Sequence, residues 1–289
     1  MEKIRDAIIN RMKRYWESLG KSKAVIGISG GKDSTVCAAL CVRAFGADNV
    51  ISVSMPHTVG NDELTRKVIE ATGLKGGFNH IRQSIDQAEK FLTLNVFFRS
   101  PEAEINVKPR LRTALEYYIA QALAPHALVV CTSNFDEILL GWYTLWGDAG
   151  DYAPINRLHV SEVIELGRTL GIPEDLLMIP PSDGLTGKTD EENLGFTYKD
   201  VEKACRKTDV VWDDICPDRH LGELAVLGFL DINPKAKEPG SHFETNADKK
   251  IYERWKNNKF KQEMMSIPGP GDDIRQYLDE RIKGLKDEN

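Results

Sequence analysis

The sequence predicts an α/β fold in which a parallel sheet is covered by helices on both faces. Short apolar runs at residues 24–28, 50–54 and 127–131 alternate with segments of helical spacing. Runs that are apolar throughout are typical of strands buried on both faces. Glycine or proline follows most of these segments and marks their ends. We expect a catalytic core over residues 1–205, with residues 206–289 as a C-terminal appendage packed on it.

Local patterns predict the individual elements. The first helix, residues 1–19, has one apolar side and ends before Gly20. Helix 105–124 repeats leucine or isoleucine at helical spacing, and Pro109 near its start is tolerated in a first turn but would kink the middle of a helix. The other predicted elements are a short strand at 80–81 and helices over 35–45, 62–71, 84–94, 161–170, 248–264 and 272–286.

Composition and charge restrict the function. The chain has 289 residues and a net charge of −6, which argues against a general nucleic-acid binder but leaves room for a local basic groove. No apolar run approaches the roughly 20 residues that span a bilayer, and the N-terminus lacks the apolar stretch of a signal peptide. Five cysteines without a Cys-x-x-Cys pair and six scattered histidines indicate neither a disulfide framework nor a zinc site. We therefore expect a cytoplasmic protein with neither nucleic acid nor membrane as partner.

The most informative stretch is a glycine-rich turn at residues 27–34, Gly-Ile-Ser-Gly-Gly-Lys-Asp-Ser. It lies between a predicted strand and a predicted helix, so that backbone N–H groups and the helix N-terminus point at one position, a site for phosphate. Three residues rather than four separate Gly27 from Gly31, and Asp33 follows Lys32, so this is not the usual P-loop. Asp33 can cap N–H groups or hold a metal ion. A glycine turn without a ligand is the alternative.

Three further segments narrow the function. Residues 106–112, Asn-Val-Lys-Pro-Arg-Leu-Arg, open a helix. Residues 132–137, Thr-Ser-Asn-Phe-Asp-Glu, follow a strand and lead to Trp-Gly-Asp-Ala-Gly-Asp at 146–151, and residues 181–198 begin Pro-Ser-Asp-Gly-Leu. The turn alone resembles the pyrophosphate loop of the ATP pyrophosphatases. With the later segments in this order, the chain resembles ammonia-dependent NAD synthetase, a family of the N-type ATP pyrophosphatase superfamily, from about residue 1 to 205.

The resemblance implies a Rossmann-like fold of the adenine-nucleotide alpha-hydrolase type and a ligase that forms a C–N bond. The nicotinate carboxylate of deamido-NAD would attack the α-phosphate of ATP, pyrophosphate would leave, and ammonia would displace AMP to give NAD. Mg²⁺ is the expected cofactor and ATP the co-substrate. The family also implies a homodimer, for which helix 105–124 and the aromatic side chains at Trp142, Tyr143 and Trp146, at helical spacing, offer apolar surface. A separate glutaminase could deliver the ammonia.

The resemblance also assigns residues by position. Lys32, Asp33 and Glu137 are the expected catalytic residues, and Asp33 and Glu137 are the expected Mg²⁺ ligands. The expected contacts to deamido-NAD are Arg110, Asp151 and Lys261. The expected contacts to ATP are Gly27, Ile28, Ser29, Gly30, Gly31, Lys32, Asp33, Ser34, Thr132, Ser182 and Lys188.

The chain departs from the family pattern at several positions. Leu145 stands where many members have Lys, and Val160 where many have a Lys that contacts ATP phosphate. Ser54 occupies the position of an Arg near adenine, and Ser182 that of a common Thr. Lys188 could replace the lost phosphate charge.

Other interpretations stay open. Glu137 could be a solvated helix charge, Arg110 a surface ion-pair partner and Thr132 a helix cap. The acidic run at 190–192 is most simply a solvated or helix-start charge. The chain could be another ATP pyrophosphatase that amidates or thiolates a different acceptor, or a non-catalytic adenine-nucleotide sensor. A tRNA-modifying enzyme would show a basic face or cysteine pairs, and two retained metal ligands argue against a sensor.

Overall fold

A four-stranded parallel sheet forms the centre of the protein. The computed structural model describes residues 1–57, 62–123, 126–181, 187–208 and 245–264. Neighbouring strands follow the order β3-β2-β1-β4, and all three pairs are parallel. The predicted fold class is therefore confirmed. The strands are β1 (Lys23–Gly27), β2 (Val50–Ser54), β3 (His80–Arg82) and β4 (Ala127–Val130).

Helices connect and cover these strands. The helix predicted from residue 105 begins earlier, because Ser100 caps it by accepting a hydrogen bond from Ala103 N at 3.1 Å and Pro101 fits the first helical position. The helix predicted at 272–286 lies outside the described residues. None of the described helices is long and apolar enough to cross a membrane. The helices are α1 (Glu2–Ser18), α2 (Lys32–Phe45), α3 (Asp62–Thr72), α4 (Asp86–Thr93), α5 (Pro101–Ala122), α6 (Phe135–Leu140), α7 (Val160–Leu170), α8 (Glu174–Leu177), α9 (Asp190–Leu194), α10 (Tyr198–Thr208) and α11 (Asn246–Met264).

The two faces of the sheet bury different helices because side chains alternate along a strand. On β1, Ala24 and Ile26 join a core with α1, α2 and α7, whereas Val25 joins a core with α5. Trp16 anchors α1 in the first core: its ring is fully buried, and its indole Nε1 donates to Lys23 O at 2.9 Å. The ring centroid lies 4.7 Å from that of Phe45 on α2. Both faces are thus covered, as the apolar runs predicted.

The strand order places a crevice at the carboxyl edge of the sheet. Strands β2 and β3 lie on one side of β1, and the chain then returns so that β4 lies on the other side of β1. At such a reversal the loops that follow the strands on its two sides, β1 and β4, run in opposite directions, and ligands bind between them. These loops are residues 28–31 after β1 and residues 131–134 after β4. The fold therefore sets the glycine turn beside the segment that begins at Thr132.

A third apolar cluster attaches the later helices to α6. Phe135 and Leu139 of α6 belong to one cluster with Tyr198 and Val201 of α10 and Ile251 of α11. This packing brings α9 and α10 to the same edge of the sheet as the glycine turn. The division at residue 205 stays a prediction, because residues 209–244 and 265–289 lie outside the described part of the chain.

Candidate active site

The glycine turn is fixed by hydrogen bonds between its own serines. Ser29 N donates to Ser34 Oγ at 3.3 Å, the two hydroxyl oxygens lie 3.0 Å apart, and Gly31 N donates to Ser29 Oγ at 3.2 Å. Gly30 has a φ of 88°, which favours glycine, and an added Cβ would lie 2.5 Å from Leu64 Cδ2. Both serines predicted as ATP contacts thus also shape the turn.

A chain of polar contacts joins the turn to the loop after β4. Lys32 is buried, with only 3% of its surface exposed, and its Nζ donates to Asp33 Oδ2 at 2.9 Å. Asn134 Nδ2 donates to Asp33 Oδ1 at 3.2 Å. Asn134 also caps α6: it accepts from Glu137 N at 3.0 Å, and its own N–H donates to Glu137 Oε2 at 3.1 Å. The structure therefore brings together Lys32, Asp33 and Glu137, the three predicted catalytic residues.

The electrostatics of this cluster show an excess of negative charge. Burial lowers the pKa of Lys32, but the carboxylates of Asp33, Glu137 and Asp190 outweigh it, so that the pKa is raised and the ammonium stays charged. Burial, followed by the charge of Asp33, raises the pKa of Glu137 well above its usual range, while Lys32 opposes the shift. Several carboxylates around one ammonium form an environment that favours a further cation.

Asp33 and Glu137 fit a magnesium ion that is completed by a substrate. Among the described residues, no group of three or more His, Cys, Asp or Glu side chains is placed to hold a metal ion. Mg²⁺ commonly takes one or two carboxylates and fills its remaining positions with water and substrate phosphates. Two carboxylates beside a phosphate-type turn therefore suffice for such a site.

Sequence reasoning missed the place of Asp190. It begins α9, as a helix-start charge would, but its side chain is buried, and Tyr198 OH donates to its Oδ2 at 3.1 Å. Its negative charge contributes to the raised pKa values of both Lys32 and Glu137. Only the packing of α9 and α10 on α6 brings it there, so no local sequence signal could have found it.

The remaining predicted ATP contacts that the structure describes follow β1 or β4 or precede α9. Ile28 is buried and extends the strand pairing, since its N–H donates to Val53 O at 2.7 Å. Thr132 is partly buried in the loop after β4, and Lys188 is exposed just before α9. Ser182 lies outside the described residues.

Two of the three residues predicted to contact deamido-NAD lie near one another. Arg110 on α5 donates from Nε to Leu145 O at 3.2 Å. Lys261 on α11 donates from Nζ to Gly141 O at 2.9 Å and to Tyr143 O at 3.0 Å. Burial lowers the pKa of Lys261, and the charge of Arg110 is among the further causes. Both cations thus hold the loop that follows α6.

The third, Asp151, is partly buried and is hydrogen-bonded to three neighbouring elements. Its Oδ2 accepts from Val129 N on β4 at 2.8 Å, and its Oδ1 accepts from Tyr117 OH on α5 at 3.2 Å. Tyr15 OH on α1 donates to its backbone oxygen at 3.3 Å. Asp151 therefore links β4, α5 and α1, which is a structural role that the sequence motif did not reveal.

The aromatic residues after α6 do not lie on a helix. Gly141 ends α6 in the left-handed conformation, with a φ of 59°, so the helical spacing of Trp142, Tyr143 and Trp146 was wrongly interpreted. Trp142 lies under Arg254, whose Cζ is 4.6 Å from the ring centroid. Trp146 is 55% exposed and has a φ of 63°, which is unusual for an aromatic residue.

Two more acids at this edge were not predicted. Asp148 Oδ2 accepts from Thr144 N at 2.7 Å, and burial raises the pKa of Asp148. Glu116 on α5 lies against Gly27, because a Cβ added to that glycine would be 2.2 Å from Glu116 Oε1. The motif 146–151 contains Asp148, but no motif of the sequence contains Glu116.

A phosphate-type turn at the reversal point of a parallel sheet, with carboxylates opposite, is typical of nucleotide-binding α/β proteins. The family model described as NAD synthase matches residues 4–226. The chain belongs to the NAD synthase family.

Curated relatives agree with this assignment. The chain is 37% identical over 204 residues to "NH(3)-dependent NAD(+) synthetase" of Methanococcoides burtonii, a match that covers 69% of this chain and 76% of the relative. It is 36% identical over 230 residues to the protein of the same name from Pyrococcus horikoshii, covering 78% and 84%.

Solved structures share the fold. NMN synthetase from Francisella tularensis superposes with a TM-score of 0.71 at 24% identity, covering 92% of this chain and 98% of that one. An NH3-dependent NAD synthetase from Campylobacter jejuni gives a TM-score of 0.66 at 22% identity, covering 92% and 97%. The adenine-nucleotide alpha-hydrolase-like fold implied by the sequence is thus confirmed.

The hydrogen bonds of Asp151 predict a loss of stability on substitution. Asp151→Ala leaves the buried Val129 N–H without its acceptor and should lower the free energy of unfolding by about 2–3 kcal/mol. Tyr117→Phe removes only one of the two bonds and should cost about 1 kcal/mol. Urea unfolding of both variants measures this. An unchanged unfolding midpoint for Asp151→Ala would show that the carboxylate has no structural role.

Proposed function

We propose that this protein catalyses the ATP-dependent amidation of deamido-NAD with ammonia, which gives NAD. It is a ligase that forms a C–N bond through an adenylate and releases AMP and pyrophosphate. The observation that carries the proposal is the contact from Asn134 to Asp33, which joins the glycine turn to the loop after β4 in a member of the NAD synthase family. ATP and the carboxylate that attacks it would meet between these loops.

Positive charge is the chief requirement of the first step. Attack of a carboxylate on ATP brings anionic groups together, so the protein has to offset their repulsion. The ammonium of Lys32 is held at the start of α2 by Asp33, and the N-terminus of α2 adds the positive end of a helix dipole. Bound Mg²⁺, held by Asp33 and Glu137, would neutralise charge on the phosphates and the leaving pyrophosphate.

The remaining assigned residues would orient the two substrates. The turn at residues 27–34 would hold the phosphates of ATP, with Thr132, Ser182 and Lys188 as further contacts. Arg110 and Lys261, whose charges act on one another beside the loop after α6, would bind the anionic part of deamido-NAD. Asp151 would position that site through β4 and α5 and contact the substrate from there.

Product analysis tests the reaction. The protein is incubated with ATP, Mg²⁺, ammonium chloride and deamido-NAD, and nucleotides are separated by chromatography. NAD, AMP and pyrophosphate should appear in equal amounts. ADP as the product would point to a different phosphate chemistry. AMP and pyrophosphate without NAD would favour another acceptor, and absence of turnover would favour the nucleotide sensor.

Removing charge from the paired carboxylates should nearly abolish turnover. Asp33→Asn and Glu137→Gln keep the shape of the side chains, and each should lower kcat on the order of a hundredfold or more, because the metal and phosphate charges are no longer balanced. Glu70→Gln, an exposed change on α3, serves as the matched control. Circular dichroism verifies folding of all three variants. Near-normal rates at saturating Mg²⁺ in either site variant would place the catalytic centre elsewhere.

We also propose that the protein is a cytoplasmic homodimer, which takes ammonia from solution or from a separate glutaminase. The four described cysteines are buried free thiols, as a reducing compartment favours. Exposed apolar side chains cluster between α4 and α5, where Phe97 is 94% and Phe98 is 92% exposed. A groove of about 400 Å³ between residues 92–99 and α5 accompanies them. Apolar surface of this kind is typical of an interface, and a second copy of the chain is the proposed partner.

Sedimentation velocity at micromolar concentration tests the dimer. The wild type should sediment as a dimer, and the double variant Phe97→Asp, Phe98→Asp should sediment as a monomer, because charge in a buried apolar interface is costly. Phe78→Asp, at an exposed position before β3, should leave the dimer intact. A monomeric wild type, or a double variant that still dimerises, would contradict this assignment.

A further inference from the structure

Glu116 is a buried carboxylate without an ordinary structural reason. It is 9% exposed, and no hydrogen bond or ion pair within the described part of the chain engages its carboxylate. Buried acids in proteins are nearly always paired, because an unpaired one loses its hydration without compensation. A side chain with this cost, in an enzyme site, is a candidate for chemistry.

Glu116 lies against Gly27, the first residue of the glycine turn. Its Oε1 touches Gly27, the last residue of β1, so closely that a Cβ there would lie 2.2 Å away. Met55, just after β2, lies at the same place: its Cε would be 3.3 Å from that Cβ. The carboxylate therefore lies at the carboxyl edge of the two central strands, directly before the residues that would hold ATP.

The charged groups around Glu116 come from its own helix and from the loop after α6. Burial raises the pKa of Glu116 to about 8, the charge of Asp148 adds to this shift, and Arg112 opposes it. Arg112 lies one helical turn away, and its Nε–H donates to Met55 O at 3.2 Å. The negative charge of Glu89 on α4 also acts on the Arg112 guanidinium. Burial, and after it Asp151, raises the pKa of the neighbouring Tyr117, and the charge of Glu116 adds to that shift.

We propose that Glu116 is the proton acceptor that converts ammonium into ammonia for attack on the adenylate. The proposal rests on the amidation proposed above and assigns a residue to its second step. Ammonium is the dominant form near neutral pH and has no lone pair, so one proton has to leave before the nitrogen can attack. A small cation also matches a buried carboxylate, because a buried charge without a partner of opposite sign is costly.

The step conserves protons and electrons. An N–H bond of ammonium breaks, its electron pair stays on nitrogen, and the proton moves to the carboxylate of Glu116. Ammonia then attacks the carbonyl carbon of the adenylate, the carbon–oxygen bond to AMP breaks, and AMP leaves with that electron pair. The nitrogen loses a second proton to solvent to give the amide. Glu116 returns its own proton to solvent and is ready for the next turnover.

The basicity of Glu116 matches this task. A general base is most effective when its pKa lies near the working pH, because it is then both available and basic enough. A carboxylate with a pKa of about 8 is ionised in an appreciable fraction of molecules at neutral pH and is far more basic than an exposed glutamate. Asp148 and burial thus create a carboxylate capable of taking a proton from ammonium.

Comparison of two nucleophiles tests the proposal. Hydroxylamine is already uncharged at neutral pH and requires no deprotonation before attack. Glu116→Gln should lower kcat/KM for ammonium on the order of a hundredfold, as loss of a general base does, while the rate with hydroxylamine stays unchanged. ATP–pyrophosphate exchange that depends on deamido-NAD should also stay unchanged, which verifies that the variant folds and forms the adenylate. Glu102→Gln on the same helix is the matched control.

The outcomes separate this proposal from the proposed function. Equal losses with both nucleophiles would make Glu116 a structural residue, and full activity with ammonium would remove any role. A wild type that forms no NAD would refute the amidation itself. The wild type gives an independent readout: its rate at saturating ammonium should rise as pH passes through about 8, where Glu116 becomes ionised, and its rate with hydroxylamine should lack this rise. The same rise with both nucleophiles would overturn the proposal.

Discussion

The hydrogen bond from Asn134 to Asp33 is the contact on which the site depends. The loops after β1 and β4 run apart because the strand order reverses between them, and this bond joins them again. Asn134 is held in turn by its reciprocal capping bonds with Glu137, so that the start of α6 is set against the start of α2. One amide side chain thus fixes both predicted metal ligands.

The cluster shows why a charged site is stable before any substrate binds. A buried ammonium without partners would be costly, but Lys32 is paired with Asp33 and lies in the field of two further acids. Burial, and after it the charge of Asp33, raises the pKa of Glu137, and the excess of carboxylates favours a further cation in the site. Packing of α9 and α10 on α6 completes this arrangement, because it brings Asp190 into the cluster.

The sequence predicted what local patterns control. Apolar runs predicted β1, β2 and β4, a short strand was expected at residues 80–81, and the turn at residues 27–34 lies where the strand–turn–helix pattern placed it. Glu116 and Asp190 were missed because their positions depend on contacts between distant elements, which no local pattern records. The interpretation of Trp142 and Trp146 was wrong because Gly141 ends the helix before them. At residue 160, where a family lysine is absent, the Val160 N–H donates to Asp136 Oδ2 at 2.8 Å and thereby ties α7 to α6.

The central claim is that the substrate carboxylate attacks the α-phosphate of ATP between these two loops. Deamido-NAD labelled with ¹⁸O in its nicotinate carboxylate tests it most directly, with mass spectrometry of the products. AMP should carry one labelled oxygen, because the carbon–oxygen bond breaks when ammonia displaces AMP. Label in pyrophosphate, or unlabelled AMP formed together with NAD, would contradict an adenylate intermediate.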